Sequence, residues 1–269
     1  MELSEIKEYF IKRNIEYVGC IPFEEALPLI ECRAKKRIPE NAKTVIVCLF
    51  PYYIGKYEKR NISRYALGSD YHLVAGNILK DISEELSLIY NNFCFSSFID
   101  SSPIREIAAA EKAGLGSRGQ NNQLINERYG SYTFIGSIVT DAVFIDDLPH
   151  SKENLCLNCG KCIAACPSKA LCNDGFNKGK CRSFITQKKG ELSEEEINQI
   201  KLGKFVWGCD ICNDVCPINK NPVLTPIKEM YKNICPVITY ENVSEIKDKA
   251  FEYRGEKVIR RNIEIINEK

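Results

Sequence analysis

Cys156-Leu-Asn-Cys159-Gly-Lys-Cys162-Ile-Ala-Ala-Cys166-Pro167 is the stretch that decides how this chain folds. Three cysteines two residues apart can wrap one cube of iron and sulfur. The fourth, set off by three residues and followed by Pro, ligates the other cube in chains that hold two. A second run, Cys209-Asp-Ile-Cys212-Asn-Asp-Val-Cys216-Pro217, repeats the pattern without its first cysteine, and Cys181 upstream supplies the missing ligand. The spacing therefore predicts two 4Fe-4S clusters. Cys156, Cys159, Cys162 and Cys216 hold one; Cys181, Cys209, Cys212 and Cys166 hold the other. Zinc also uses C-x2-C pairs, yet it requires neither the 2-2-3 spacing, nor the proline, nor an interlocked second run.

The bulk composition supports that chemistry. With 44% hydrophobic and 27% charged residues over 269 positions, the chain has the make-up of an ordinary soluble protein with room for two domains. Its net charge of +1 neither demands nor excludes a nucleic-acid partner, since only local clusters of charge would tell. The N-terminus, MELSEIKEYF, is acidic and amphipathic and is no signal peptide. No apolar run approaches the ~20 residues needed to cross a bilayer, so a cytoplasmic protein without a membrane partner is expected. Cytosolic thiols stay reduced, which turns the fourteen cysteines away from disulfides. The six without ligand spacing (Cys20, Cys32, Cys48, Cys94, Cys172 and Cys235) read as small buried hydrophobes.

Outward from the cysteines, the first ~150 residues mix helical and strand patterns. Thr44 to Phe50 has the length and β-branching of a buried strand. From Asp70 to about Tyr90, Ile78, Ile82 and Leu86 recur four apart, with Leu79 beside them, as in an amphipathic helix. Phe93 to Ile99 reads as a strand ending at Asp100. A helix is then expected at once, with Ser102 as N-cap, Pro103 in its first position and Gly114 at its end. Ser131 to Phe144, interrupted by Gly136, reads as paired or bulged strands. Character changes at about His150. Beyond it, Ser193-Glu-Glu-Glu196 has capping-box spacing for a helix that Gly203 ends.

Several stretches together resemble the epoxyqueuosine reductase family: Arg64-Tyr-Ala-Leu-Gly-Ser-Asp-Tyr-His72, Ile99-Asp-Ser-Ser-Pro103, Ala113-Gly-Leu-Gly116, Tyr129-Gly-Ser131, Cys181-Arg-Ser-Phe-Ile-Thr-Gln-Lys-Lys-Gly190 and Gly208-Cys-Asp-Ile-Cys-Asn-Asp-Val-Cys-Pro-Ile-Asn219. Order and spacing match from about Arg33 to Asn219, and more loosely to Arg261-Asn262. The resemblance implies a cobalamin enzyme, related in its core to reductive dehalogenases, that reduces the epoxide of epoxyqueuosine at the tRNA wobble position to the alkene of queuosine. Two clusters feed electrons to the cobalt, and an aspartate, matching Asp100, supplies a proton. Cobalamin contacts carry over to Arg33, Ser63, Asp100, Leu124, Ile135, Ile138, Ser183, Cys209 and Asp210. The tRNA loop carries over to Gln187, Lys188 and Lys189. An electron donor such as a ferredoxin or flavodoxin is a further implied partner. Where the family shows Gly-Lys-Asn or Gly-Lys-His after the Ala-Gly-Leu-Gly motif, this chain has Gly119-Gln-Asn121. Many members continue into helical repeats of ~40 residues each; the 52 residues after Pro217 are too few for a stable array of about three, so a short form without them is expected.

The fold class expected is α+β, with an α/β cobalamin-binding reductase-like domain followed by a two-cluster ferredoxin-like domain. Its boundaries are 1–150 for the catalytic domain, 151–222 for the clusters and 223–269 for a tail packing on the core. Each functional residue also has a plainer reading. Asp100 could cap the following helix, although Ser101 and Ser102 can do so and strand ends in α/β domains favour ligand sites. His72 could be a hydrogen-bonded core residue or part of the cofactor pocket. Lys188 and Lys189 could be solvated surface, or could join Lys178, Lys180 and Arg182 in a basic patch for RNA. Two other functions compete with the reductase. One is a cobalamin and iron–sulfur reductase of another substrate; the other is a ferredoxin-like electron carrier without cobalamin.

Overall fold

Thr44–Pro51 (β2) is buried along its whole length, so it must be covered on both faces and paired on both edges. The computed structural model, which describes residues 1–146 and 153–268, shows how this is met. The chain divides into two compact units. The first comprises Met1–Pro51, His72–Gly119 and Gln123–Leu157; the second comprises Tyr52–Tyr71, Gln120–Asn122 and Asn158–Lys269. The change of character at His150 lies outside the described residues.

In the first unit, Ser4–Ile11 (α1) leads to Val18–Pro22 (β1), β2, Tyr71–Ile89 (α2), Phe95–Ile99 (β3) and Glu106–Lys112 (α3). Two short strands, Ser117–Arg118 (β4) and Leu124–Ile125 (β5), pair with each other, and Thr133–Thr140 (β6) completes the main sheet. That sheet has the order β1-β2-β6-β3, and every pairing is antiparallel. Val45, Val47 and Leu49 pack towards α3 with Ile135, Val139 and Phe98. The alternate side chains of β2 face the other way, where Phe50 meets Gly136. A Cβ there would lie 2.7 Å from both Phe50 and Leu79 of α2, so Gly136 is a point of close approach and not a break. The expected pair of strands over Ser131 to Phe144 is one continuous central strand. The buried stripe of α2 is Ala75, Leu79, Ile82 and Leu86, spaced four-three-four; Ile78 is only half-buried. Each fully buried Leu or Ile there contributes roughly 1.5–3 kcal/mol.

The helix expected from Pro103 begins later, at Glu106, with Arg105 as an N-cap that makes no side-chain bond. Ser102 instead accepts from the Ile104 N–H (3.1 Å), a local turn that delays the helix. Its end is as expected, with Gly114 left-handed at φ +70°.

The second unit is built of short pieces: Lys161–Ala165 (α4), the hairpin of Leu171–Cys172 (β7) and Gly175–Phe176 (β8), Arg182–Ile185 (α5), Glu194–Gly203 (α6), Ile211–Asp214 (α7) and Glu256–Asn267 (α8). Ser193 and Glu196 form the capping box of α6. Lys204, not Gly203, takes the left-handed cap, because Gly203 is pressed against the Arg182 side chain and still lies in the helix. Ile185 of α5, Ile200 of α6 and Ile265 of α8 meet in one cluster. The buried Asn262 of α8 donates to the carbonyls of Thr186 and Val206, both at 2.8 Å, so the last helix is hydrogen-bonded to the cysteine-rich segment. No helix among the described residues is long and apolar enough to cross a membrane.

Candidate functional site

Six of the eight candidate cluster cysteines lie in or beside very short helices of the second unit; Cys156 and Cys159 precede the first of these helices. Cys162 lies in α4 and Cys166 caps its end; Cys181 precedes α5; Cys209 precedes α7, Cys212 lies within it and Cys216 follows. α4 and α7 pack against each other. Burial pushes the Cys212 thiol well up, and the next causes are Cys209, Cys181, Asp210 and Cys166. Cys166, Cys181, Cys209 and Cys212 are thus electrostatic neighbours although they span 47 residues. Burial pushes Cys209 up to about 11, opposed by the Ile211 N–H and the charge of the buried Arg182. Burial holds the Cys209 and Cys212 thiols protonated until positive iron compensates the thiolates, and with Cys166 and Cys181 beside them this donor set fits an iron–sulfur cube. Gly208, at φ +76°, lets the chain reach Cys209: a Cβ there would stand 2.4 Å from the Cβ of Ser63.

Asp210 is the polar centre of this unit, only 3% exposed. Ser63 Oγ donates to its Oδ1, while the Arg64 N–H (2.9 Å) and the Arg60 guanidinium donate to Oδ2. Arg60 and Arg64 also pair with Asp214, one turn further on. Sequence reading did not single out Arg60 or Asp214. The signal for them was the i,i+4 spacing of Asp210 and Asp214, which puts two carboxylates on one helical face in need of cations.

Ser183 and Gln187 belong to a second polar group. Gln187 Nε2 donates to the Tyr65 hydroxyl (3.2 Å) and reaches Ser183 Oγ (3.5 Å), and the Tyr253 hydroxyl donates to Gln187 Oε1 (3.0 Å). Lys188 is held by Glu196, whose carboxyl it keeps below the usual range. Lys189 is exposed. The basic patch is smaller than the sequence suggests, because Arg182 is buried against Gly203 and donates to Gln199 (3.2 Å).

In the first unit, Asp100 ends β3 in the left-handed region at φ +56°, a conformation that Asp and Asn tolerate better than other side chains. Its carboxyl is half exposed, and His72 Nε2 of α2 stands 3.3 Å from Oδ2. Asp100 caps no helix, since α3 starts six residues on. The sheet being antiparallel, its position comes from this tight turn and not from the switch point of a parallel sheet. Leu124 and Ile135 share the buried cluster on the α3 face. Ile138, of opposite parity on β6, is fully buried on the α2 face and does not join them. Arg33 is exposed on the turn Arg33–Arg37. Thr133 Oγ1 and Ser137 Oγ are buried without a hydrogen-bond partner among the described residues, on the same face of β6 as Ile135. An apolar wall with orphaned hydroxyls fits a large ring whose faces are apolar and whose rim is polar, as cobalamin's is.

Of the six remaining cysteines, Cys20 and Cys48 are buried as expected; Cys32 and Cys235 are half-buried, and Cys94 and Cys172 are exposed. No disulfide joins any of the fourteen.

Residues 155–219 match the family model described as a 4Fe-4S double cluster binding domain, and residues 33–101 match that of epoxyqueuosine reductase QueG, DUF1730. The epoxyqueuosine reductase of Lactococcus garvieae is 33% identical over 219 residues, covering 77% of this chain and 61% of the relative. That of Cyclobacterium marinum is 33% identical over 248 residues, covering 86% and 78%. The chain therefore spans between about three fifths and four fifths of these relatives' lengths. A crystal structure of epoxyqueuosine reductase with an epoxyqueuosine-modified tRNA-Tyr stem loop superposes with a TM-score of 0.81 at 26% identity, covering 98% of this chain and 80% of that one. The catabolic reductive dehalogenase NpRdhA shares the fold, at TM-score 0.51 and 17% identity over 97% of this chain and 35% of that one. With two cluster runs, the reductase motif segment and relatives matched over most of their length, this chain belongs to the epoxyqueuosine reductase family.

Proposed function

We propose that this chain reduces the epoxide of epoxyqueuosine in tRNA to the alkene of queuosine, with Asp100 as the proton donor. The observation that carries the reading is the placement of Asp100. It is a half-exposed carboxyl fixed at a left-handed strand end against His72, in a chain whose other unit gathers the cluster thiols. Cys156, Cys159, Cys162 and Cys216 hold one 4Fe-4S cluster and Cys166, Cys181, Cys209 and Cys212 the other. Leu124 and Ile135, with the buried hydroxyls of Thr133 and Ser137, are the residues of the first unit that would hold cobalamin. When bound, cobalamin supplies a low-valent, strongly nucleophilic metal centre, and the clusters supply electrons one at a time from a donor such as a ferredoxin or flavodoxin.

The chain's own work is to bind, orient and protonate. His72 fixes the Asp100 carboxyl, and Asp100 gives its proton to the oxygen freed as the epoxide opens. The Arg60–Ser63–Arg64–Asp210 group holds the Tyr52–Tyr71 segment against the cysteine run. The test is nucleoside analysis of epoxyqueuosine-containing tRNA after incubation with the reconstituted chain and a reductant. Appearance of queuosine supports the reading. Its absence, with both clusters and cobalamin present, overturns it.

One observation favours a second reading, a reductase of the same architecture acting on another substrate. Of the three residues matching the tRNA loop, Gln187 and Lys188 are tied to Tyr253, Tyr65 and Glu196. The same assay separates the two, because a reductase of this kind leaves the tRNA unchanged.

A further inference from the structure

We infer that Gln120 and Asn121 are a clamp that positions the ligands of one cluster, the one held by Cys156, Cys159, Cys162 and Cys216. The inference rests on the ligand assignment proposed above. Where the epoxyqueuosine reductase family shows Gly-Lys-Asn or Gly-Lys-His, this chain has Gly119-Gln-Asn121. A lysine side chain carries no hydrogen-bond acceptor, whereas glutamine carries a carbonyl oxygen. That oxygen has a partner here: the Gly160 N–H donates to Gln120 Oε1 (3.2 Å), and Gly160 lies between Cys159 and Cys162.

The second arm is the neighbouring side chain. Asn121 Nδ2 donates to Asn213 Oδ1 (3.2 Å), and both residues are less than a tenth exposed. Asn213 lies in α7, and its carbonyl accepts from the Cys216 N–H (3.2 Å) and from Asn219 Nδ2 (2.9 Å). The Asn219 N–H in turn donates to the Cys216 carbonyl (3.0 Å). One arm therefore ends in the loop that carries Cys159 and Cys162, and the other ends on Cys216. These cysteines come from different runs, yet the interlocked spacing gives them to the same cluster.

The clamp sits on a turn that leaves it little freedom. Residues 120–122 connect β4 to β5 and belong to the second unit. The Gly119 N–H donates to the Gln123 carbonyl (2.8 Å), and Asn122 takes the left-handed conformation, at φ +57°, that so short a turn requires. The two runs are held in matching ways. Gly160 follows Cys159 as Asp210 follows Cys209, and each is fixed by side chains from a distant segment: Gly160 by Gln120, Asp210 by Arg60 and Ser63. A ligand set drawn from two segments loses freedom when it gathers round a cluster. Partners that orient the ligand loops beforehand lower that cost and slow the loss of the metal.

Gln120 is exposed, so Gln120→Met removes the acceptor without disturbing buried packing, and Gln120→Glu keeps an oxygen in the same place. Iron release to a chelator is followed on the full chain reconstituted with iron and sulfide, by visible absorbance and by the paramagnetic signal of each reduced cluster. In Gln120→Met about half the iron should leave about fivefold faster than in wild type, the worth of one hydrogen bond, and the rest at the wild-type rate. Gln120→Glu should release both halves at the wild-type rate. Asn121→Asp keeps the shape, removes the donor and should speed the same half; where it does not fold, the two Gln120 variants decide. Wild-type rates in Gln120→Met, equal acceleration of both halves, or a Gln120→Glu protein as labile as Gln120→Met would each overturn the clamp. The iron content of the wild-type chain tests the ligand assignment separately. Full iron with unmoved rates overturns the clamp alone, and a wild-type chain that takes up no iron overturns both.

Discussion

Arg60 and Asp210 lie 150 residues apart in sequence and form an ion pair in which both side chains are less than a tenth exposed. Asp210→Ala takes from Arg60 its most buried partner, leaving it Asp214 and the Ile62 carbonyl, and removes the acceptor of Ser63 Oγ and the Arg64 N–H. Breaking a buried pair from one side costs about 3–5 kcal/mol. Asp210→Asn keeps an acceptor and should cost less. Urea unfolding of the two variants checks the order, and an Asp210→Ala protein as stable as wild type would refute it.

Cys181 comes from a different segment than the other thiols around Cys212, yet it is one of the groups that crowd that sulfur. Cys181→Ala should therefore cost one cluster and leave the other, with iron falling from about eight per chain toward about four. The Cys156–Cys159–Cys162–Cys216 cluster should keep its visible and paramagnetic signatures. Full iron and an unchanged spectrum would remove Cys181 from the ligand set.

Asp100→Asn keeps the shape and the tolerance for a left-handed backbone while removing the acid. Because Asp100 caps no helix, the variant should be as stable as wild type and keep both clusters. Turnover should fall by at least about a hundredfold, the usual cost of losing a general acid. Near-normal turnover by a well-folded variant would end the proton-donor assignment.

Lys249 is fully buried, and its Nζ donates to the carbonyls of Leu67 (2.6 Å) and Gly68 (2.8 Å). Burial pulls its pKa down from the ordinary 10.5 to about 8. Between those values the unfolded chain binds the extra proton, so this residue makes stability rise with pH from about 8 to about 10. Below about 8 both states are charged, and the penalty is present in full. The neutral amine still has two N–H donors for the two carbonyls. Lys249→Met should flatten the slope, seen as a pH-dependent difference in unfolding free energy between the two proteins. A difference constant with pH would show that Lys249 is charged in the fold throughout.

Much of this protein is determined locally and could be read from its sequence. The cysteine runs carry their chemistry in their spacing, because neighbouring ligands must reach the corners of one small cluster. The buried run at Thr44, the helix from Tyr71 and the Ser193–Glu196 capping box obey periodicities and hydrogen bonds that span a few residues. Errors arose where local signals competed. Ser102 and Pro103 suggest a helix start, but Ser102 spends its hydroxyl on the Ile104 N–H, and the helix waits until Glu106. Gly136 suggests a break, but it is the space into which Phe50 and Leu79 fit.

What only the tertiary structure decided is which distant groups meet. Nothing in the local sequence joins Arg60 to Asp210, or Tyr253 to Gln187. Nor does spacing say that Arg182 turns inward while Lys189 stays in water. Such contacts pay a loop-closure cost that local pattern does not reveal, and they form because packing the rest of the unit has already brought the groups together. The candidate ligand types are legible in the sequence; the partners of the buried Asp210 carboxylate were decided by the fold.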